Sequence, residues 1–70
     1  MEGTVLFHLR ERHYGFISLS DDRGQEVASY FFQDGSVIGD LPVKGDVVSF
    51  WLDRDVRRGN LIAVGVEVKQ

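Results

Sequence analysis

The sequence contains no cysteine and a single proline, Pro42. Without cysteine there can be no disulfide and no thiolate metal site, two devices that often stabilise small domains. No apolar run approaches the roughly 18 residues of a membrane-spanning helix, and no basic-then-apolar signal pattern opens the chain. We therefore expect a cytoplasmic protein that makes no contact with a membrane.

The sequence also lacks a strong excess of either acidic or basic residues. Eight lysines and arginines face 11 acidic residues, which gives a net charge of −3. A uniformly acidic surface would repel nucleic-acid phosphates. The basic side chains are clustered, however, at Arg10, Arg12 and His13 and again at Arg57 and Arg58. The charge balance weighs only mildly against a nucleic-acid partner.

Length and composition predict one small all-β domain that spans residues 1–70. Glycines separate short runs rich in β-branched and aromatic residues, and no segment keeps a helical apolar period. The predicted strands span residues 3–10, 14–20, 26–33, 46–53 and 60–68. Five short antiparallel strands cannot bury both faces of an open sheet in so small a domain, so we expect a closed barrel.

Strand alternation assigns the faces of the second and third strands. Ile17 is predicted to point inward, whereas Tyr14 and Phe16 share the opposite face with Ser18 and Ser20. In the third strand, Phe31 lies between polar neighbours on the outer face, and Tyr30 and Phe32 point inward. Tyr14, Phe16 and Phe31 are therefore predicted to form one exposed aromatic patch.

The remaining strands divide less evenly. The fourth has Val48 and Phe50 inward and Trp51 outward. The fifth presents a predicted inner stripe of Ile62, Val64, Val66 and Val68. The first strand has large apolar groups on both faces, so a twist or a bulge has to assign Phe7 and its neighbours.

A clustered aromatic patch on a surface indicates a binding site. Rings beside Arg12, His13 and Arg58 suit single-stranded nucleic acid, because bases stack on the rings and arginines contact phosphates. Two alternatives stay open from the residues alone. The rings can pair across strands and stabilise the sheet, or they can mark a protein interface.

No set of residues predicts catalysis. The two histidines, His8 and His13, are expected at the surface and have no further ligands at metal-binding spacing. The serines lack a nucleophile-elbow context, and the glycines do not form a Walker loop. We expect no enzymatic activity, no cofactor and no metal site.

Three segments resemble cold-shock domains. Residues 12–17, Arg-His-Tyr-Gly-Phe-Ile, resemble the first RNP motif of that family. Residues 30–33, Tyr-Phe-Phe-Gln, resemble the second, and residues 44–50 match the entry to the fourth strand. The resemblance covers nearly the whole chain. It implies a five-stranded antiparallel OB-fold barrel that binds single-stranded RNA or DNA with low sequence specificity, in an RNA-chaperone-like role.

The resemblance also implies site residues. Phe7 takes the place of the family's first-strand tryptophan, Gln33 that of a histidine and Arg12 that of a lysine. With the neighbouring basic side chains, the predicted nucleic-acid-binding residues are Phe7, Arg12, His13, Tyr14, Phe16, Phe31, Gln33 and Arg58.

Departures from the family pattern predict weaker binding. Leu6 stands in place of a lysine, His13 in place of a glycine and Asp34 in place of an aromatic residue, and the loop over residues 36–44 is short. We expect a monomer with micromolar or weaker, strongly salt-dependent affinity. The alternative is an OB-fold module with a protein partner, weakened or lost nucleic-acid binding, and an interface at Trp51.

Overall fold

The computed structural model describes residues 1–69 and confirms the all-β prediction. Its elements are β1 (Glu2–Leu9), β2 (Tyr14–Ser20), β3 (Glu26–Gln33), a 3-10 turn (Asp34–Ser36), β4 (Val47–Asp55) and β5 (Asn60–Val68). Within the described part of the chain, no helix has the length and apolar character needed to cross a membrane.

The strands close into a barrel in the order β1-β2-β3-β5-β4, consistent with an OB-fold. Four neighbouring pairs are antiparallel, whereas β3 and β5 are parallel. The expected antiparallel arrangement therefore does not hold at this one junction. Because the ring has an odd number of strands, their directions cannot alternate all the way round, and one pair must be parallel.

The core of the barrel is small and apolar. Its buried residues are Val5, Ile17, Phe32, Val48, Phe50, Ala63 and Val66. The inward faces predicted for the second, third and fourth strands are confirmed, since Ile17, Phe32 and Val48 are each 0% exposed. Tyr30 packs against this core from the barrel wall.

The predicted inner stripe of β5 is wrong at Ile62 and Val64. Ala63 is fully buried instead, and neither Ile62 nor Val64 belongs to the core or packs against it. The pairing with β4 shifts register along this stretch, and Gly65 has a φ of +59°. Such a bulge adds one residue between two inward positions, so the alternation reverses along the strand.

A bulge also resolves the ambiguous first strand. The register between β1 and β2 shifts between Val5 and Phe7. As a result Val5 enters the core while Phe7 is 38% exposed on the outer face. A further expectation is corrected at Ser18, which was placed on a wet face but is 8% exposed. It pairs with Thr4 on β1 and with Ser29 on β3, so a strand lies on each side of it.

Gly15 separates the outward Tyr14 from the outward Phe16 and points into the barrel. A Cβ atom there would stand 2.4 Å from the Phe7 carbonyl oxygen and 2.8 Å from the Phe32 ring. We expect Gly15→Ala to lower the free energy of unfolding by about 1–3 kcal/mol, the usual cost of overpacking.

Urea unfolding measures this effect, and Gly35→Ala is the matched control. A Cβ at Gly35 would have no heavy atom within 4 Å. Equal stability of the two variants would contradict the close approach at Gly15.

Candidate nucleic-acid interface

A row of apolar side chains crosses four strands on the outside of the barrel. Phe7 on β1 pairs with Phe16 on β2, and Phe16 pairs with Phe31 on β3. The row ends on β5, where Ile62 pairs with Phe31. Direct cross-strand neighbours lie close enough for their side chains to touch. Three aromatic rings are thus held side by side by backbone pairing.

Tyr14 completes this group, and we call Phe7, Tyr14, Phe16 and Phe31 the aromatic cluster. The Phe7 and Phe16 ring centroids are 5.4 Å apart, and those of Tyr14 and Phe31 are 5.3 Å apart. Phe16 meets Phe31 edge to face at 5.8 Å. These separations are those of favourable aromatic pairs. The cluster is therefore one contiguous surface of rings with different tilts.

Polar side chains flank one side of the aromatic cluster. Seven of the eight predicted site residues line a single open hollow there, namely Arg12, His13, Tyr14, Phe16, Phe31, Gln33 and Arg58, and Asp34 and Gly35 complete its lining. Phe7 is outside this lining but contacts the rings of Tyr14 and Phe16. The structure therefore brings all eight predicted residues together.

Asp34 connects two elements at the edge of the hollow. Its Oδ1 accepts a 2.6 Å hydrogen bond from His8 Nε2, and its Oδ2 accepts a 3.1 Å bond from His13 Nδ1. Its backbone N–H donates to the carbonyl oxygen of His13, a residue held at a φ of +61°. Glycine adopts such a left-handed φ most readily, and glycine is the residue that the cold-shock pattern has in place of His13. The carboxylate thus ties the turn after β1 to the end of β3.

His8 corrects another expectation, because its side chain is only 3% exposed. Its ring stacks on that of Phe32, with centroids 5.9 Å apart and an interplanar angle of 16°. The bulge in β1 shifts the alternation and places His8 against the end of the core. His13, in contrast, is at the surface as predicted.

The hydrogen bond from His8 holds the pKa of Asp34 below its ordinary value of 3.8; burial opposes this shift and the His13 hydrogen bond adds to it. Because the pKa is lower in the folded protein than in the unfolded chain, the stabilisation is complete above about pH 4 and disappears as the pH falls through the folded-state pKa. We expect the stability advantage of the wild type over Asp34→Asn to be constant near neutral pH and to shrink as the pH falls through about 4 and below.

Urea unfolding across that pH range tests the Asp34 prediction. Asp22→Asn removes the same charge from an exposed position in the β2–β3 turn. A stability gap for Asp34→Asn that changed with pH no more than the gap for this control would show that the histidine contacts do not stabilise the ionised carboxylate.

Sequence reasoning missed Ile62 as a neighbour of the aromatic cluster. It lines a second hollow with Phe31, Arg58, Asn60 and Leu61. A signal was present, because a glycine inside a strand pattern often marks a bulge. Gly65 lies inside the predicted inner stripe. Ile62 and Val64, which precede Gly65, lie on the opposite face of the strand from Val66 and Val68, which follow it.

Within residues 1–69, no group of three or more histidine, cysteine, aspartate or glutamate side chains is arranged so that it could hold a metal ion. The chain matches no known protein-family model, and no curated protein matches it either.

Proposed function

We propose that this chain binds single-stranded RNA or DNA by stacking bases on the aromatic cluster, with low sequence specificity. The observation that carries the proposal is the row of Phe7, Phe16 and Phe31 on the outer face of the barrel, which backbone pairing sets side by side on three adjacent strands. Phe7 is exposed, and Phe16 and Phe31 are half-buried. Each stacked base contributes about 1–3 kcal/mol, whatever its identity.

The charges around the aromatic cluster support the same ligand. Arg12 and Arg58 both line the hollow beside the rings, where phosphates of a stacked strand would pass. Asp34, one of the departures from the family pattern, would repel a phosphate, and its two carboxylate oxygens accept hydrogen bonds from histidines. Both carboxylate oxygens therefore already have hydrogen-bond partners in the free protein, and among residues 1–69 Asp34 is the one acidic residue in the lining of the hollow.

The proposal includes membership of the cold-shock type. Its support is the agreement between motif and position: Tyr14 to Ile17 of the first RNP-like segment lie on β2 and the whole second segment lies on β3, and these strands pair from Tyr14 with Gln33 onward. Stacking without reading base edges suits an RNA-chaperone-like role, since such a protein holds many different sequences unpaired.

Titration with oligo-uridine and oligo-thymidine at low and at high salt, followed by amide NMR shifts, tests the proposal. We expect micromolar or weaker binding, shifts on β1, β2 and β3, and affinity that falls steeply with salt. Shifts confined to the turn over residues 54–59 would refute the proposed surface. An absence of shifts at millimolar ligand would refute the function.

One observation favours a second candidate, a protein-interaction module. Trp51 is 72% exposed and lies on β4, a strand that carries no member of the aromatic cluster. Its indole rests over Gly65, where a Cβ would stand 3.2 Å from Trp51 Cδ1. Concentration-dependent sedimentation that disappears in Trp51→Ala, without any oligonucleotide response, would favour this function over the first.

A further inference from the structure

Arg58 covers part of the surface on which a base would stack. Its guanidinium carbon lies 4.6 Å from the centroid of the Phe31 ring. This is a cation–π contact over the ring face. Tyr14 and Phe16 contact the same ring, at centroid distances of 5.3 and 5.8 Å. A base and a guanidinium cannot occupy one ring face together, so Arg58 excludes a base from this face of Phe31.

Asp55 anchors Arg58 in this position. Its Oδ2 lies 3.7 Å from Arg58 Nε, and its backbone carbonyl oxygen accepts hydrogen bonds from the N–H groups of Arg58 and Gly59. The Arg58 side chain is nevertheless 56% exposed. Cation–π contacts at exposed sites and surface ion pairs are both weak. The backbone of this turn is therefore fixed, whereas the guanidinium can leave the ring at small cost.

Arg58 also stands between the two hollows and lines both. On one side lie Arg12 and Gln33, and on the other lie Asn60 and Leu61. Phe31 lines both hollows too, so a guanidinium that left the ring would uncover a surface that the two hollows share. A strand that followed the row would pass directly through the place that Arg58 now occupies.

We propose that Arg58 is a displaceable cover on Phe31: it occupies a base-stacking position in the free protein and moves to a phosphate of the bound strand. This inference rests on the proposed function. The displacement loses the cation–π contact with the Phe31 ring and gains an ionic contact with the phosphate. Only the gain depends strongly on salt, because counterion release accompanies the phosphate contact.

The test compares Arg58→Ala with the wild type in binding labelled oligo-uridine at about 50 mM and about 500 mM salt. We expect weaker binding than wild type at low salt, where the lost phosphate contact dominates. At high salt we expect binding about two- to fivefold tighter, the factor that an exposed cation–π contact is worth. The slope of log affinity against log salt should decrease in magnitude by about 0.7, the value for one phosphate contact to a single strand.

Arg57→Ala is the matched control. It removes the same charge from the same turn, and among the described residues Arg57 belongs to the lining of neither hollow beside Phe31. It should not bind more tightly than the wild type at either salt concentration. If both variants bound more tightly than the wild type at high salt, the tighter binding would follow from removing a positive charge from this turn and not from uncovering Phe31. That result would overturn the proposed cover.

An NMR measurement adds a second readout. In the free wild type, the ring current of Phe31 should move the Arg58 side-chain proton signals away from their positions in Phe31→Leu. Saturating oligo-uridine should return them to those positions. Ring-current shifts that are absent in the free protein, or that persist at saturation, would overturn the cover.

The outcomes separate the two proposals. If the wild type binds and Arg58→Ala is weaker at both salt concentrations, the cover fails and the proposed function stands. If only Arg58→Ala binds, Arg58 blocks the ring without being displaced, and the displaceable cover is overturned. If neither protein binds, the proposed function fails, and the cover fails with it.

Discussion

Phe16→Ala is expected to raise the dissociation constant for oligo-uridine by about 5- to 150-fold, equivalent to about 1–3 kcal/mol for one stacked base. Phe16 is the central ring of the aromatic cluster and contacts Phe7, Tyr14 and Phe31. Its loss removes one stacking surface and the side support of the other three. Fluorescence anisotropy with labelled oligo-uridine at low salt measures the change.

Trp51→Ala is the control for the Phe16 experiment. It removes a more exposed aromatic ring from β4, outside the aromatic cluster. We expect its affinity for oligo-uridine to equal that of the wild type. If both variants lost affinity equally, binding would depend on general surface hydrophobicity and not on the row of rings. Thermal unfolding of each variant checks that the barrel remains folded.

Phe32→Ala is expected to lower the free energy of unfolding by about 3–5 kcal/mol, the range for a truncated core phenylalanine. Phe32 is 0% exposed, stacks on His8 and lies beside Gly15. A domain of this size has a total stability of only about 0.05–0.15 kcal/mol per residue. For 70 residues this is about 3.5–10.5 kcal/mol, so we expect the variant to lose from about a third to all of its stability and to unfold at a much lower urea concentration, as measured by far-UV circular dichroism.

Phe31→Ala is the matched control, because it makes the same change at the adjacent residue on the opposite face. Its ring contacts Tyr14 and Phe16 at the surface. Cross-strand pairs of this kind are worth about 0.2–1 kcal/mol each, so its destabilisation should stay below about 2 kcal/mol. Equal losses for the two phenylalanines would contradict the assignment of their faces.

The contrast between these neighbours shows what the sequence determined. The alternation of side chains along a strand is a local property that repeats every two residues. It therefore placed Tyr14, Phe16 and Phe31 outside the barrel and Phe32 inside, without knowledge of any strand pairing. The same reasoning placed Trp51 at the surface. Charge pattern and motif spacing then selected Arg12 as a neighbour of the rings.

Only the tertiary structure decided where the alternation reverses. The bulges near Phe7 and Gly65 shift the register against partner strands, and they bring Phe7 and Ile62 to the aromatic face and His8 to the core. Pairing with a distant strand sets each bulge, and that pairing leaves only a weak local signal in the sequence.

The contacts of Arg58 and Asp34 likewise depend on closure of the barrel. Arg58 follows β4 and Phe31 lies on β3, and they meet because β5 closes the ring against β3. Asp34 meets His8 and His13 because β2 pairs with both β1 and β3. The sequence by itself thus determined which rings face solvent. The pairing of distant strands decided which rings are neighbours, and it placed the Arg58 guanidinium over the Phe31 ring.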